Sequence, residues 1–214
     1  MASTGISRLP VEMIQQVLLA LPDIQTLKSA IFSSRIFYGS FKGLEQRIIE
    51  EVTQRDFTPR LLRLAMIIEI LPRVRYSKVE YLKACLAEHL DEIDGNSTSF
   101  SMRGFHSLLN QKNISIYAVM ETMCWVDSHV DGFARSQLKG APKTQKYNQD
   151  QSLSRNERNR IRHGIYRVAI YSLLPAWYEH PTEFEFCFLA KFSVWENEEL
   201  FRISKYLKRF HLPG

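Results

Sequence analysis

Cys85 and His89 come closest in this sequence to the spacing of a metal site. Four residues apart in a predicted helix, they would present a thiol and an imidazole on one face. Cys124 and His129 cannot complete such a site, because residues five apart point to different sides of a helix. We therefore predict no metal and no cofactor, with Cys85 as a small apolar residue and His89 as a solvated one.

Two pairs of adjacent carboxylates, Asp91-Glu92 and Glu198-Glu199, are the main candidates for acid-base chemistry. Neighbouring residues in a helix diverge, so neither pair can act on one substrate atom. The sequence also lacks a Gly-x-Ser-x-Gly elbow, a phosphate-binding glycine loop, a dinucleotide fingerprint and an HExxH pair. These observations predict that the protein is not an enzyme.

Positive charge is concentrated between residues 135 and 167, where nine Lys/Arg face two acids, although the whole chain carries only +5. Within it, four arginines cluster near the start of one predicted helix: Arg155, Arg158, Arg160 and Arg162. Such a patch could bind an acidic partner peptide or a phosphate. The alternative that we favour is a solvated face paired with acidic neighbours such as Glu157. Nucleic-acid binding is less favoured still, since Tyr147 is the only aromatic residue between 139 and 162.

The elements that carry these residues are predicted to be helices, because the apolar residues recur at the three- and four-residue spacing of a helix. A chain of 214 residues that is 45% hydrophobic can bury a substantial core. We predict an all-α fold in which an N-terminal trihelical motif, residues 1–56, is packed on or linked to a single-copy helical domain, residues 57–214. A polar, basic and mobile loop is expected near residues 139–153.

Three helices are predicted in the N-terminal motif. The first follows Leu9-Pro10, and its apolar stripe consists of Ile14, Val17, Leu18 and Leu21. Asp23 is a suitable N-cap for the second helix, which places Leu27 on its inner face. Ser33-Ser34 mark the turn into the third, which we predict as one long helix running to about Arg55 and carrying Phe37 and Phe41.

The Leu-Pro-x-Glu sequence at residues 9–12, the apolar stripe, Leu27 and the pair Phe37 and Phe41 together resemble an F-box, most closely that of fungal F-box-domain proteins. F-box proteins place this motif on the Skp-family adaptor of a cullin-RING ubiquitin ligase, and the rest of the chain recruits a substrate. The resemblance implies a partner-binding surface made from, or supported by, Leu9, Pro10, Ile14, Val17, Leu18, Leu21, Leu27 and Phe37.

Helix starts in the remaining chain are predicted from N-caps at Thr58-Pro59 and from capping boxes that begin at Ser77, Ser154 and Ser193. Met120, Met123 and Trp125 could line a partner groove, but we interpret them as core residues. Residues 183–192 combine strand-like and helix-like aromatic spacing, and we predict a helix. The segments around Glu157 and Trp195-Glu196 also resemble regions that follow the motif in fungal F-box-domain proteins.

The sequence thus favours a non-catalytic substrate receptor of an SCF-type ubiquitin ligase. Its partners would be the Skp-family adaptor, through it a cullin, and an unknown protein substrate. With no signal-like N-terminus, no apolar run of about 18 residues and three scattered cysteines, we expect no membrane partner and a location in the cytoplasm, the nucleus or both. The alternatives are a helical scaffold without a ligase role and, less favoured, a nucleic-acid-binding protein.

Overall fold

The computed structural model describes residues 9–71, 115–139, 153–173, 189–190 and 192–209. All regular secondary structure in these ranges is helical, which confirms the prediction of an all-α fold. The described helices are α1 (Val11–Leu19), α2 (Ile24–Ser33), α3 (Arg35–Lys42), α4 (Glu45–Asp56), α5 (Pro59–Ile70), α6 (Ile116–Lys139), α7 (Arg155–Leu173) and α8 (Val194–Leu207). The predicted capping box at Ser77, the loop over residues 140–152 and most of the predicted helix at 183–192 lie outside the described residues.

Side-chain caps start four of these helices where the sequence predicted them. Asp23 accepts a hydrogen bond from the backbone N–H of Thr26 at 2.7 Å, and the Thr58 hydroxyl accepts one from Leu61. Reciprocal capping boxes begin α7 at Ser154 and α8 at Ser193. Each cap satisfies a backbone donor that the first turn would otherwise leave unpaired.

The prediction of one long third helix is wrong, because the chain turns between α3 and α4. Gly43 ends α3, and Leu44 adopts φ −140° and ψ 28°, outside the helical region. The backbone N–H of Leu44 then bonds to the carbonyl of Phe41 at 2.9 Å, in a tight turn. Both Phe41 in α3 and Ile48 in α4 are completely buried. The change of direction lets both helices turn their apolar faces to the core, so the predicted trihelical motif contains four helices.

One continuous hydrophobic cluster connects the N-terminal helices to the later ones, running from Leu18 in α1 to Leu207 in α8. Helix α5 is central to it: it packs against α6 and α7 and is buried on nearly all sides, as its composition predicted. Met120 and Met123 are buried in the same cluster, which confirms their interpretation as core residues. The N-terminal motif is therefore packed on the later helices that the structure describes.

Two glycines face side chains of α8 at close range. A Cβ atom on Gly164 of α7 would lie 2.3 Å from Cδ1 of Ile203, and one on Gly132 of α6 would lie 2.2 Å from the hydroxyl of Tyr206. Glycine allows the helices to approach more closely than any other residue would. Among the described helices, none combines the length and the apolar character that crossing a membrane requires.

Candidate docking surface

Helix α1 presents apolar side chains on two sides, and only one of these sides is buried. Ile14 and Leu18 point into the core, whereas Met13 and Val17 are 53% and 45% exposed. Pro10, Met13 and Val17 follow a spacing of three and four residues, so they share one side of the helix. Leu9, 43% exposed, precedes them. We call Leu9, Pro10, Met13 and Val17 the α1 apolar face.

Two contacts from neighbouring helices hold α1 in place. Gln15 donates a hydrogen bond from Nε2 to the carbonyl of Ser40 in α3, at 3.0 Å. At the other end, the Arg55 guanidinium donates to the carbonyls of Leu19 and Leu21 at 2.6 and 2.8 Å. These last carbonyls have no partner within the helix, and a cation is favourable there. The orientation of the α1 apolar face is therefore fixed by polar contacts as well as by packing.

The structure divides the predicted partner-binding residues into three groups. Leu9, Pro10 and Val17 are exposed, and Val17 thus lies outside the buried stripe to which the sequence assigned it. Ile14, Leu18 and Leu27 are buried and cannot contact a partner directly; they support the surface from below. Leu21 and Phe37 are partly buried and pack against the core.

Sequence reasoning missed five exposed apolar residues of the N-terminal helices: Val11 and Met13 on α1, Phe32 on α2, and Ile36 and Tyr38 on α3. Phe32 was hidden because a single stripe of Ile24, Leu27 and Ile31 already accounted for the burial of α2. A usable signal existed in α1, since six of its nine residues are apolar, too many for one buried face of a short helix.

Three of the four arginines in the predicted basic patch on α7 already pair with acidic side chains. Arg158 pairs with Asp131 at 2.9 Å, and Arg160 pairs with Glu199 at 3.4 Å. Arg155 is exposed, whereas the side chain of Arg162 is only 1% exposed. The prediction that Arg162 lies on the solvent side is therefore wrong, and the interpretation of a face paired with acidic neighbours holds for Arg158 and Arg160.

Arg162 is the centre of a buried charge network that joins three helices. Its Nε donates to Asp127 of α6 at 2.6 Å, and its Nη2 donates to the Asp56 carboxylate at the end of α4 at 2.5 Å. Its Nη1 donates to the backbone carbonyl of Asp56 and to Asn159 at 2.8 and 2.9 Å. The guanidinium also lies over the Phe57 ring, 4.2 Å from its centroid.

Burial strongly affects the titration of groups near this network. It raises the pKa of Asp127, an effect that the hydrogen bond and charge of Arg162 oppose without cancelling. It raises the pKa of the Cys124 thiol to about 11, which makes a reactive thiolate unfavourable. Burial, together with the charges of Arg60 and Arg167, lowers the pKa of His163 to about 3. Burial in the core is the largest cause of each of these three shifts.

Within the described ranges, no three His, Cys, Asp or Glu side chains form a group that could hold a metal ion. The predicted pair Cys85 and His89 lies outside those ranges. What the described surface offers chemically is an apolar contact area on helices of fixed orientation. No protein-family profile matches this chain, and neither the curated proteins nor the solved structures include a significant match to it.

Proposed function

We propose that this protein is a non-catalytic receptor subunit of an SCF-type ubiquitin ligase, and that the α1 apolar face docks on the Skp-family adaptor. The observation that carries the proposal is the exposure of Met13 and Val17 on a helix whose other side is anchored in the core. This face begins at the Leu9-Pro10 pair through which the N-terminal segment resembles an F-box.

The α1 apolar face has the properties that a docking site requires. Exposed large apolar residues cost little singly, but several on one short helix indicate a surface that a partner covers. Full burial of a valine or methionine side chain contributes about 1.5–3 kcal/mol. Two such residues therefore suffice to change an affinity by more than about tenfold, which corresponds to 1.4 kcal/mol. In this role the protein supplies proximity, and ubiquitin transfer belongs to other subunits.

Co-purification with a Skp-family adaptor, followed by titration calorimetry, tests the proposal. The double variant Met13→Glu/Val17→Glu should weaken adaptor binding at least about tenfold, because charged side chains cannot enter an apolar interface without losing hydration. The variant Leu9→Ala should weaken it less. Both substituted positions of the double variant are exposed, so circular dichroism should show an intact fold.

The matched control is Val194→Glu/Trp195→Glu on α8, where both side chains are about four-fifths exposed. This pair introduces the same charges on another helix and should leave adaptor binding unchanged. Failure of the unaltered protein to bind the adaptor would favour the alternative of a helical scaffold without a ligase role. Equal loss in both double variants would indicate a nonspecific charge effect and contradict the assigned face.

A further inference from the structure

An apolar groove with a deep recess lies between α7 and α8, away from the α1 apolar face. It has a volume of about 270 Å³, and its apolar walls are Val168 and Tyr171 of α7, Leu200 and Phe201 of α8, and Leu189. Small-molecule sites usually enclose about 300–1,000 Å³. The recess is thus of a size for one bulky side chain, rather than for a whole cofactor.

Exposed apolar residues lie in the lining of this groove and along the same side of α8. Phe201 forms one wall and is still 60% exposed, and Leu189 is also exposed. Val194 lies seven residues before Phe201, on the same side of α8, and is almost fully exposed. The floor, by contrast, includes the buried Leu200. An inserted side chain would therefore contact both a rigid floor and an apolar rim.

The charge beside the groove is positive. Phe201 and Lys205 lie four residues apart on one side of α8, and Lys205 Nζ lies 4.4 Å from the centroid of the Phe201 ring. Lys208, the C-cap residue directly after the helix, has a helical backbone conformation and continues the same side. Within the described part of the chain, neither lysine forms an ion pair. The groove lining includes no acidic side chain, and its one cation, Arg167, is already paired with Glu196 at 2.8 Å.

We propose that this groove binds an acidic peptide segment of a partner protein. One bulky apolar side chain of the peptide would enter the recess between Val168 and Phe201, and carboxylates beside it would pair with Lys205 and Lys208. Apolar insertion supplies the affinity, whereas the two lysines select acidic sequences and accelerate association. The proposed binding does not depend on the ligase function; only the identification of such a peptide as a substrate for ubiquitin transfer rests on it.

Fluorescence anisotropy with three labelled acidic peptides tests the assignment. Each peptide carries glutamates around one anchor, which is tryptophan, phenylalanine or leucine, and a fourth carries alanine at that position. We expect at least one anchored peptide to bind at least about tenfold more tightly than the alanine peptide. Failure of all three anchored peptides to bind, or equal binding of the alanine peptide, overturns the proposal.

Two variants test the groove and one tests the charge. Ser204→Leu fills the recess from α8, and Phe201→Ala removes an exposed wall without touching the core; each should weaken the anchored peptide about tenfold. Lys205→Glu/Lys208→Glu should weaken binding, and added salt should no longer lower the remaining affinity, because it then screens repulsion instead of attraction. Arg155→Glu, an exposed charge on α7, is the matched control and should change nothing.

The same variants separate this proposal from the proposed function. Ser204→Leu should retain adaptor binding, and Met13→Glu/Val17→Glu should retain peptide binding. Unchanged peptide affinity in both Ser204→Leu and Phe201→Ala contradicts the groove, whatever the result with the adaptor.

Discussion

Replacement of Arg162 by methionine should lower the free energy of unfolding by about 3–5 kcal/mol, the usual effect of removing one partner of a buried ion pair. Methionine retains most of the aliphatic length of arginine, so the loss in the free energy of unfolding reports the contribution of the guanidinium. Four hydrogen bonds disappear with it, and Asp127, only 7% exposed, keeps a carboxylate without its cation. Small domains have a total stability of about 5–15 kcal/mol, so this effect is large.

The assay is urea denaturation followed by circular dichroism at neutral pH. The matched control is Arg160→Met, two residues earlier on the same helix, where the side chain is 69% exposed and its ion pair measures 3.4 Å. That exposed pair should contribute less than about 1 kcal/mol. A loss in Arg162→Met no greater than the loss in Arg160→Met would refute the reasoning.

A double-mutant cycle and a pH series test the mechanism of the loss. Adding Asp127→Leu to Arg162→Met removes the unpaired carboxylate and should recover at least about 1 kcal/mol. Burial already raises the pKa of Asp127, and without Arg162 the strongest interaction that opposes this effect is lost. A carboxyl whose folded pKa lies above its unfolded value stabilises the fold at low pH and loses this effect as pH rises. The defect of Arg162→Met should therefore shrink on acidification.

Three further predictions concern the helices behind the groove. The hydrogen bond from Arg167, with the Ser193 cap, lowers the pKa of Glu196 to about 2. Glu196→Gln should therefore lower the free energy of unfolding by about 1 kcal/mol at pH 7, after allowance for solvent screening. This difference, measured by urea denaturation, should vanish as pH falls from 4.5 towards 2. Because the pKa of His163 is lowered to about 3, nitrogen-detected NMR should show a neutral imidazole at pH 5. The contribution of this neutral ring to stability should be lost only as pH falls from 6.5 towards 3. A protonated ring at pH 5 would contradict its burial. Gly164→Ala should lower the melting temperature, because overpacking against Ile203 costs about 1–3 kcal/mol and exceeds the gain of up to about 1 kcal/mol in helix propensity. Adding Ile203→Val should restore part of the loss. A stabilised single variant would show that Ile203 moves aside freely.

Local signals in the sequence predict where helices begin. Packing between distant residues determines the features that the sequence does not predict. Asp23, Thr58 and Ser193 act within three residues of their own position, so their roles are visible in the chain itself. The turn at Leu44 is different, since it depends on how Phe41 and Ile48 meet a common core. Apolar spacing alone allows one long helix through that region.

The candidate surface is predicted only in part, because it also depends on packing between distant residues. The sequence indicated which residues of α1 are apolar, but an apolar stripe wider than the buried face leaves open which residues remain outside. The apolar stripe predicts Val17 to face inward and does not predict the exposure of Val11 and Met13. Arg162 is predicted to face solvent because it is grouped with three other arginines opposite an apolar helix face. Its partners Asp56 and Asp127 are 106 and 35 residues away in the chain. Sequence spacing carries no information about contacts of that range.

The continuous core from Leu18 to Leu207 limits which segments of this chain can be transferred to another protein. The boundary predicted after residue 56 falls next to Asp56, whose carboxylate and carbonyl both accept hydrogen bonds from Arg162. Lys28 of α2 also pairs with Glu121 of α6 across that boundary. A graft of residues 9–56 onto a foreign protein would therefore expose apolar surface and leave charges unmatched. The transplantable unit includes at least α5, α6 and α7, so exchange of the N-terminal helices alone is expected to yield insoluble chimeras.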